Sequence, residues 1–213
     1  FGILKDDILK SLSIGKYWTH TKLVGLSIHI GSQLTELNAT VKAIKEMAEL
    51  ALIIPNDLEF LDVGGGLGID YTKKERKKLA SIHQYMQTVS KALSQYYYSK
   101  TSSRPRVVFE PGRILVGKMG VLVSEVIRTK TSQKHHFTII DAGMNDLIRP
   151  ALYEAHHEIF PCLVRKQKIK TDVVGPICET SDCFATQITI SELESGDYLA
   201  IENAGAYGRS MAS

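Results

Sequence analysis

A buried-strand pattern at residues 58–63, Leu-Glu-Phe-Leu-Asp-Val, stops at three consecutive glycines, Gly64, Gly65 and Gly66, and this stop limits the possible folds more than any other segment. A buried strand that ends in glycine brings its C-terminal edge to a point where the backbone can turn sharply or approach another group closely. A second such run, residues 23–30, ends in Gly31-Ser32. Between the two, Val41, Ile44, Met47, Ala48, Ala51 and Leu52 recur at three- and four-residue spacing. That spacing predicts a helix with Asn38 as its N-cap and Pro55 as its stop, and hence a βαβ unit. Leu79, Ile82, Met86, Val89 and Leu93 predict a further helix, which leads into a third buried strand at residues 107–109 and then into Glu110-Pro111-Gly112-Arg113. Strands that each end in polar or glycine residues on their C-terminal side match an α/β barrel or a doubly wound sheet.

After about residue 114 the pattern changes to strands, at residues 120–127, 137–141, 172–174, 187–190 and 197–202. The expected organisation is therefore an α/β portion over residues 1–113 and a β-rich domain over residues 114–213. Lysines and arginines number 26 against 23 aspartates and glutamates, so no basic surplus points to nucleic acid, and the basic stretch 73–78 reads as a solvated helix start. No apolar stretch reaches the ~20 residues of a membrane-spanning helix. The three cysteines, Cys162, Cys178 and Cys183, are too few and odd in number for a disulfide framework, which points to free thiols and a cytoplasmic setting. Phe1 opens neither a signal peptide nor a natural start, so the chain is expected to begin in mid-protein.

Several groups could carry chemistry. The glycines 64–66 can form an anion cradle of backbone N–H groups or simply a tight turn; the dinucleotide spacing fails because position 69 is Ile. Glu110 and Arg113 offer a buried carboxylate for a ring nitrogen and a guanidinium for phosphate or carboxylate, or else a surface ion pair. His29 and Ser32 emerge near the end of the first of the three strands, and a lone histidine in an apolar strand is also an ordinary core residue. Further on, Arg149 with Tyr153 can grip a carboxylate, and Cys178 beside Glu179 can move protons. Cys178, Cys183, His135-His136 and His156-His157 do not complete a zinc ligand set, so no metal is expected.

Seven segments in order carry a closer likeness: His29-Ile-Gly-Ser-Gln33, Asp62-Val-Gly-Gly-Gly-Leu-Gly68, Glu110-Pro-Gly-Arg113, Asp141-Ala-Gly-Met-Asn145, Arg149-Pro-Ala-Leu-Tyr153, Cys178-Glu179 through Asp182, and Gly205-Ala-Tyr207. Together they resemble the diaminopimelate decarboxylase family of pyridoxal-phosphate enzymes, whose fold type is shared with alanine racemase. The resemblance implies the C-terminal part of a pyridoxal-phosphate-binding (β/α)8 barrel, with about three βα units here, followed by a β-barrel or sandwich-like domain incomplete at its end. It implies decarboxylation of meso-2,6-diaminopimelate to L-lysine, the last step of lysine biosynthesis, by a homodimer with shared active sites. His29 would stack on the pyridine ring. Ser32, Gly64, Gly65 and Gly66 would bind the phosphate, and Glu110, within Glu110-Pro111-Gly112-Arg113, would pair with the ring nitrogen. Arg113 would sit between phosphate and substrate; Arg149, Tyr153 and Glu179 would hold the substrate's distal end; Tyr207 would touch both. Cys178 would be the proton donor and reach into the partner subunit's site.

One part of the family pattern is missing. The covalent lysine of these enzymes lies in a segment like Tyr-Ala-x-Lys-Ala on an early barrel strand, and no lysine of this chain has that context. The chain is therefore expected to be a fragment, inactive alone, with a decarboxylase of ornithine, arginine or carboxynorspermidine, or a non-catalytic interaction module, as the competing readings.

Overall fold

A computed structural model describes residues 2–13, 20–55, 57–72, 79–133 and 135–213. Phe1 and the basic stretch 73–78 lie outside the described residues. The chain divides into two compact units, Phe1–Gly68 with Leu79–Pro111, and Ile69–Lys78 with Gly112–Ser213. Among the described residues no helix is long and apolar enough to cross a membrane.

The first unit opens on helix α1 (Lys5–Ser13) and is built on three parallel strands, β1 (Gly25–Ser27), β2 (Phe60–Gly65) and β3 (Arg106–Glu110), adjacent in that order. Gly25, Leu26 and Ser27 pair with Phe60, Leu61 and Asp62, which pair in turn with Arg106, Val107 and Val108. Parallel neighbours cannot be joined by a hairpin, and α2 (Asn38–Ile53) and α3 (Ile82–Leu93) supply the crossovers. Helix α2 buries Thr40, Ile44, Met47, Ala48, Leu50 and Ala51 and packs against α3. It ends where Pro55 forces the preceding Ile54 into an extended conformation, with φ −71° and ψ 127°.

Local details depart from the sequence expectation. Asn38 is the first helical residue rather than the cap; Leu37 takes the cap position and makes no side-chain capping bond. Helix α3, by contrast, starts with a reciprocal capping box: the Gln84 N–H donates to Ser81 Oγ at 3.2 Å, and the Ser81 N–H donates to Gln84 Oε1 at 2.9 Å. Its inward face is also rotated from the expected stripe. Tyr85, Val89, Ala92 and Leu93 are buried, whereas Ile82 is 43% and Met86 51% exposed. Tyr85 accounts for the roll, because its ring edge meets Phe109 at 6.0 Å and its hydroxyl reaches the Val63 carbonyl oxygen at 3.5 Å. A large aromatic with a polar tip gains more from that position than Ile82 or Met86 would.

The second unit is a six-stranded sheet. Its strands are β4 (Leu122–Ser132), β5 (His135–Ile140), β6 (Ile159–Pro161), β7 (Lys168–Val174), β8 (Cys183–Ser191) and β9 (Tyr198–Ile201), in the spatial order β6-β9-β4-β5-β7-β8. All neighbours are antiparallel except β5 and β7. The edge strands β6 and β8 approach each other, so the sheet curls into a nearly closed barrel around Val126, Ile140, Val173, Leu199 and Ile201. Two short helices, α4 (Arg113–Val116) and α5 (Arg149–Tyr153), interrupt a half of the chain whose sequence offers few helical candidates. Strand β6 is likewise absent from the sequence reading; it exists through pairing of Ile159, Phe160 and Pro161 with Ile201, Ala200 and Leu199.

Candidate functional site

In the first unit the C-terminal ends of the parallel strands gather the expected groups. His29 and Ser32 follow β1, Gly64 and Gly65 close β2, and Glu110 closes β3 in register with Gly65. The turn after β2 is fixed by Asp62, a buried carboxylate whose Oδ1 accepts the Gly64 N–H at 2.8 Å. Gly64 itself has φ +70°, and a methyl group built on it would lie 2.3 Å from the Ile28 carbonyl oxygen and 3.4 Å from His29 Nδ1. The missing side chain thus lets the loop that carries His29 close onto β2. Gly64→Ala is expected to destabilise the protein by about 2–5 kcal/mol, from the left-handed backbone and the forced contact together. A thermal midpoint within about 2 °C of the parent would contradict this packing.

His29, Ser32 and Glu110 are all exposed at this edge, and Gly66 is half-buried. The exposure of Glu110 corrects the expectation of a buried carboxylate: β3 ends at this residue, and the chain leaves the sheet through Pro111. Hydroxyl, glycine backbone, imidazole and carboxylate converge on one strand edge, a donor set suited to a phosphate joined to a protonated ring nitrogen.

The second unit holds a separate cluster of alternating rings and cations. Arg113 stands at the start of α4, its Nη1 donates to the Tyr71 hydroxyl, and its guanidinium carbon lies 4.8 Å from the Tyr207 ring centroid and 5.7 Å from that of Tyr71. On Tyr71 also rests Arg149, at 4.7 Å. Such contacts suit arginine, whose planar and weakly hydrated cation stacks on aromatic faces. Arg149 begins α5, is only 7% exposed, and has no carboxylate partner among the described residues. Its Nη1 meets His157 Nε2 at 3.2 Å, and its Nε is buried without a hydrogen-bond partner among the described residues. Burial lowers the Arg149 pKa from its ordinary value, with the Arg113 charge adding to the effect and Tyr71 opposing it. His157 is pushed down to about 4, chiefly by burial, and is therefore neutral at pH 7.

The structure brings Arg113, Arg149 and Tyr207 together around Tyr71. Tyr153 lies on α5 with Arg149 but is 59% exposed. Cys178 and Glu179 sit on an exposed turn of another segment. That turn is pinned from beneath by Asp182, only 3% exposed, whose carboxylate accepts the Ile177 N–H at 2.7 Å and the Met144 N–H at 2.7 Å. Tyr71 and His157 are the functional candidates that sequence reasoning misses. Tyr71 lies just beyond the glycine motif, and His157 enters that reading only as half of a histidine pair weighed for metal binding.

The family model described as "Pyridoxal-dependent decarboxylase, C-terminal sheet domain" matches residues 21–205. A diaminopimelate decarboxylase of Zymomonas mobilis is 38% identical over 216 residues, covering 100% of this chain and 49% of its own length. One from Helicobacter pylori is 39% identical over 219 residues, with 100% and 51% covered. The crystal structure of diaminopimelate decarboxylase from Helicobacter pylori complexed with L-lysine superposes with a TM-score of 0.88 at 36% identity, covering 100% of this chain and 52% of that one. The chain spans about half the length of the curated relatives it matches.

Proposed function

The chain belongs to the pyridoxal-dependent decarboxylases, whose C-terminal sheet domain it matches over residues 21–205, and on that premise we propose that its protein converts meso-2,6-diaminopimelate to L-lysine and CO2 with pyridoxal 5'-phosphate. The three parallel strands would be part of a (β/α)8 barrel, with the six-stranded sheet as the β domain that follows it. In the first unit, Ser32 and the glycines 64–66 would hold the cofactor phosphate. His29 would lie against the ring, and Glu110 would keep a proton on the ring nitrogen. Bound in this way, the cofactor supplies an electron sink for the charge left when CO2 departs.

The observation that carries the reading of the substrate is Arg149. A buried guanidinium without a carboxylate, and with one donor unmet among the described residues, is completed by an anion from outside the chain. Diaminopimelate has such an anion at its distal end, beside an ammonium that Glu179 would receive. Arg113 and Tyr207 would bind both cofactor and substrate, Tyr153 would support the distal carboxylate, and Cys178 would return a proton to the carbon that loses CO2. The exposure of Cys178 and Glu179 suits a turn completed by a second copy of the protein, and the three unbridged cysteines suit a cytoplasmic setting.

The test is to incubate the full-length polypeptide, extended to the length of its relatives, with pyridoxal phosphate and meso-diaminopimelate. Equal amounts of CO2 and L-lysine are expected. A loaded enzyme that releases neither, or that acts faster on ornithine or arginine, would remove this reading.

A further inference from the structure

We propose that His157 is a positioning residue for substrate recognition: as the neutral tautomer protonated at Nδ1, it holds the Arg149 guanidinium in the orientation that receives the distal carboxylate. This rests on the assignment of Arg149 given above and adds a residue to which no motif points. The tautomer follows from its two partners. Guanidinium can only donate, so Nε2, 3.2 Å from Arg149 Nη1, must accept. The carbonyl of Glu202 can only accept, so Nδ1, 2.8 Å away, must donate.

A neutral ring is also the form the surroundings favour. The ring is 2% exposed, and Arg149, Arg113 and His156 all disfavour a positive charge on it. His157 and Arg149 are further tied together by Tyr71, whose ring meets the His157 ring edge-on at 5.4 Å and lies under Arg149 at 4.7 Å. The guanidinium is thus held at one end by a rigid imidazole anchored to the backbone after β9, and on one face by a phenol. The Nε-bearing edge is left with its donor unmet among the described residues. A planar cation fixed in this way can meet a carboxylate through two parallel hydrogen bonds without first losing its own freedom.

The experiment compares His157→Phe, His157→Gln and Arg149→Ala in the full-length, cofactor-loaded protein, with ¹⁵N-histidine NMR of the unsubstituted protein alongside. His157→Phe keeps a ring but removes the acceptor, and it is expected to raise KM for meso-diaminopimelate about 10- to 100-fold while kcat stays within about threefold. His157→Gln presents an amide oxygen near the position of Nε2 and should recover most of the lost KM. At pH 7 the NMR spectrum should show a neutral imidazole protonated at Nδ1. An Nε2-protonated or cationic ring would overturn the proposal. So would a normal KM in His157→Phe, or equal damage from Phe and Gln, when Arg149→Ala does raise KM. A normal KM in Arg149→Ala would overturn the assignment of Arg149 itself, and with it this inference.

Discussion

Arg149→Ala in the full-length protein is expected to lower kcat/KM for meso-diaminopimelate by roughly 30- to 1,000-fold, corresponding to about 2–4 kcal/mol for a buried charged contact. The size of the effect follows from burial. In the resting protein the guanidinium has a histidine nitrogen and a tyrosine face for company but no carboxylate among the described residues, so the substrate would bring its only formal countercharge. A substrate without a distal carboxylate, such as ornithine, makes no use of that contact, and its turnover should change by less than about threefold. Steady-state kinetics on both substrates decide the matter. Equal losses would mean that Arg149 supports the fold of the second unit rather than the choice of substrate.

The second large effect is expected at Glu110. If it keeps a proton on the cofactor's ring nitrogen, Glu110→Ala should reduce kcat by about 10²- to 10⁴-fold, the range for loss of a positioned proton-holding group. KM should change far less, because the substrate's distal contacts are assigned to other residues. Glu110→Gln is the sharper variant: the amide keeps the size of the side chain at the end of β3 but cannot hold the nitrogen in its protonated form. Nearly normal kcat in Glu110→Gln would leave Glu110 as a neutral hydrogen-bond partner. Binding of pyridoxal phosphate, followed by its absorbance, should survive both changes, since the phosphate contacts assigned to Ser32 and the glycines are untouched.

What could be read from the sequence was whatever local pattern decides. The strand before the glycines, the periodic face of α2 and the break at Pro55 are each determined by residues a few positions apart, and the structure keeps them, although β2 runs on through Gly64 and Gly65 instead of stopping at Val63. Features fixed by distant partners were not legible. Strand β6 is three residues long and is held by its pairing with β9 rather than by its own propensity. The roll of α3 depends on Tyr85 reaching Phe109 and Val63, a preference invisible in an apolar stripe that counts Ile82 and Met86 as equals. At the candidate site, the motifs marked Arg113, Arg149 and Tyr207. The ring between the two arginines, Tyr71, comes from a segment 42 residues before Arg113 in sequence, and nothing local announces it.

The clasp beneath Cys178 and Glu179 separates what that turn must keep from what it can change. Asp182 grips backbone N–H groups of Ile177 and Met144, and it fits because residue 175 is glycine: a methyl group there would lie 2.3 Å from the carboxylate. None of those holding contacts uses the side chains of residues 178–180, and Ser181 adds a contact of its own, its hydroxyl donating to Met144 Sδ at 3.7 Å. The backbone of the turn is therefore held by its seat, Gly175, Asp182 and the Met144 amide, whatever side chains stand at Cys178, Glu179 and Thr180, which leaves those three to be set by the roles proposed for them rather than by the fold.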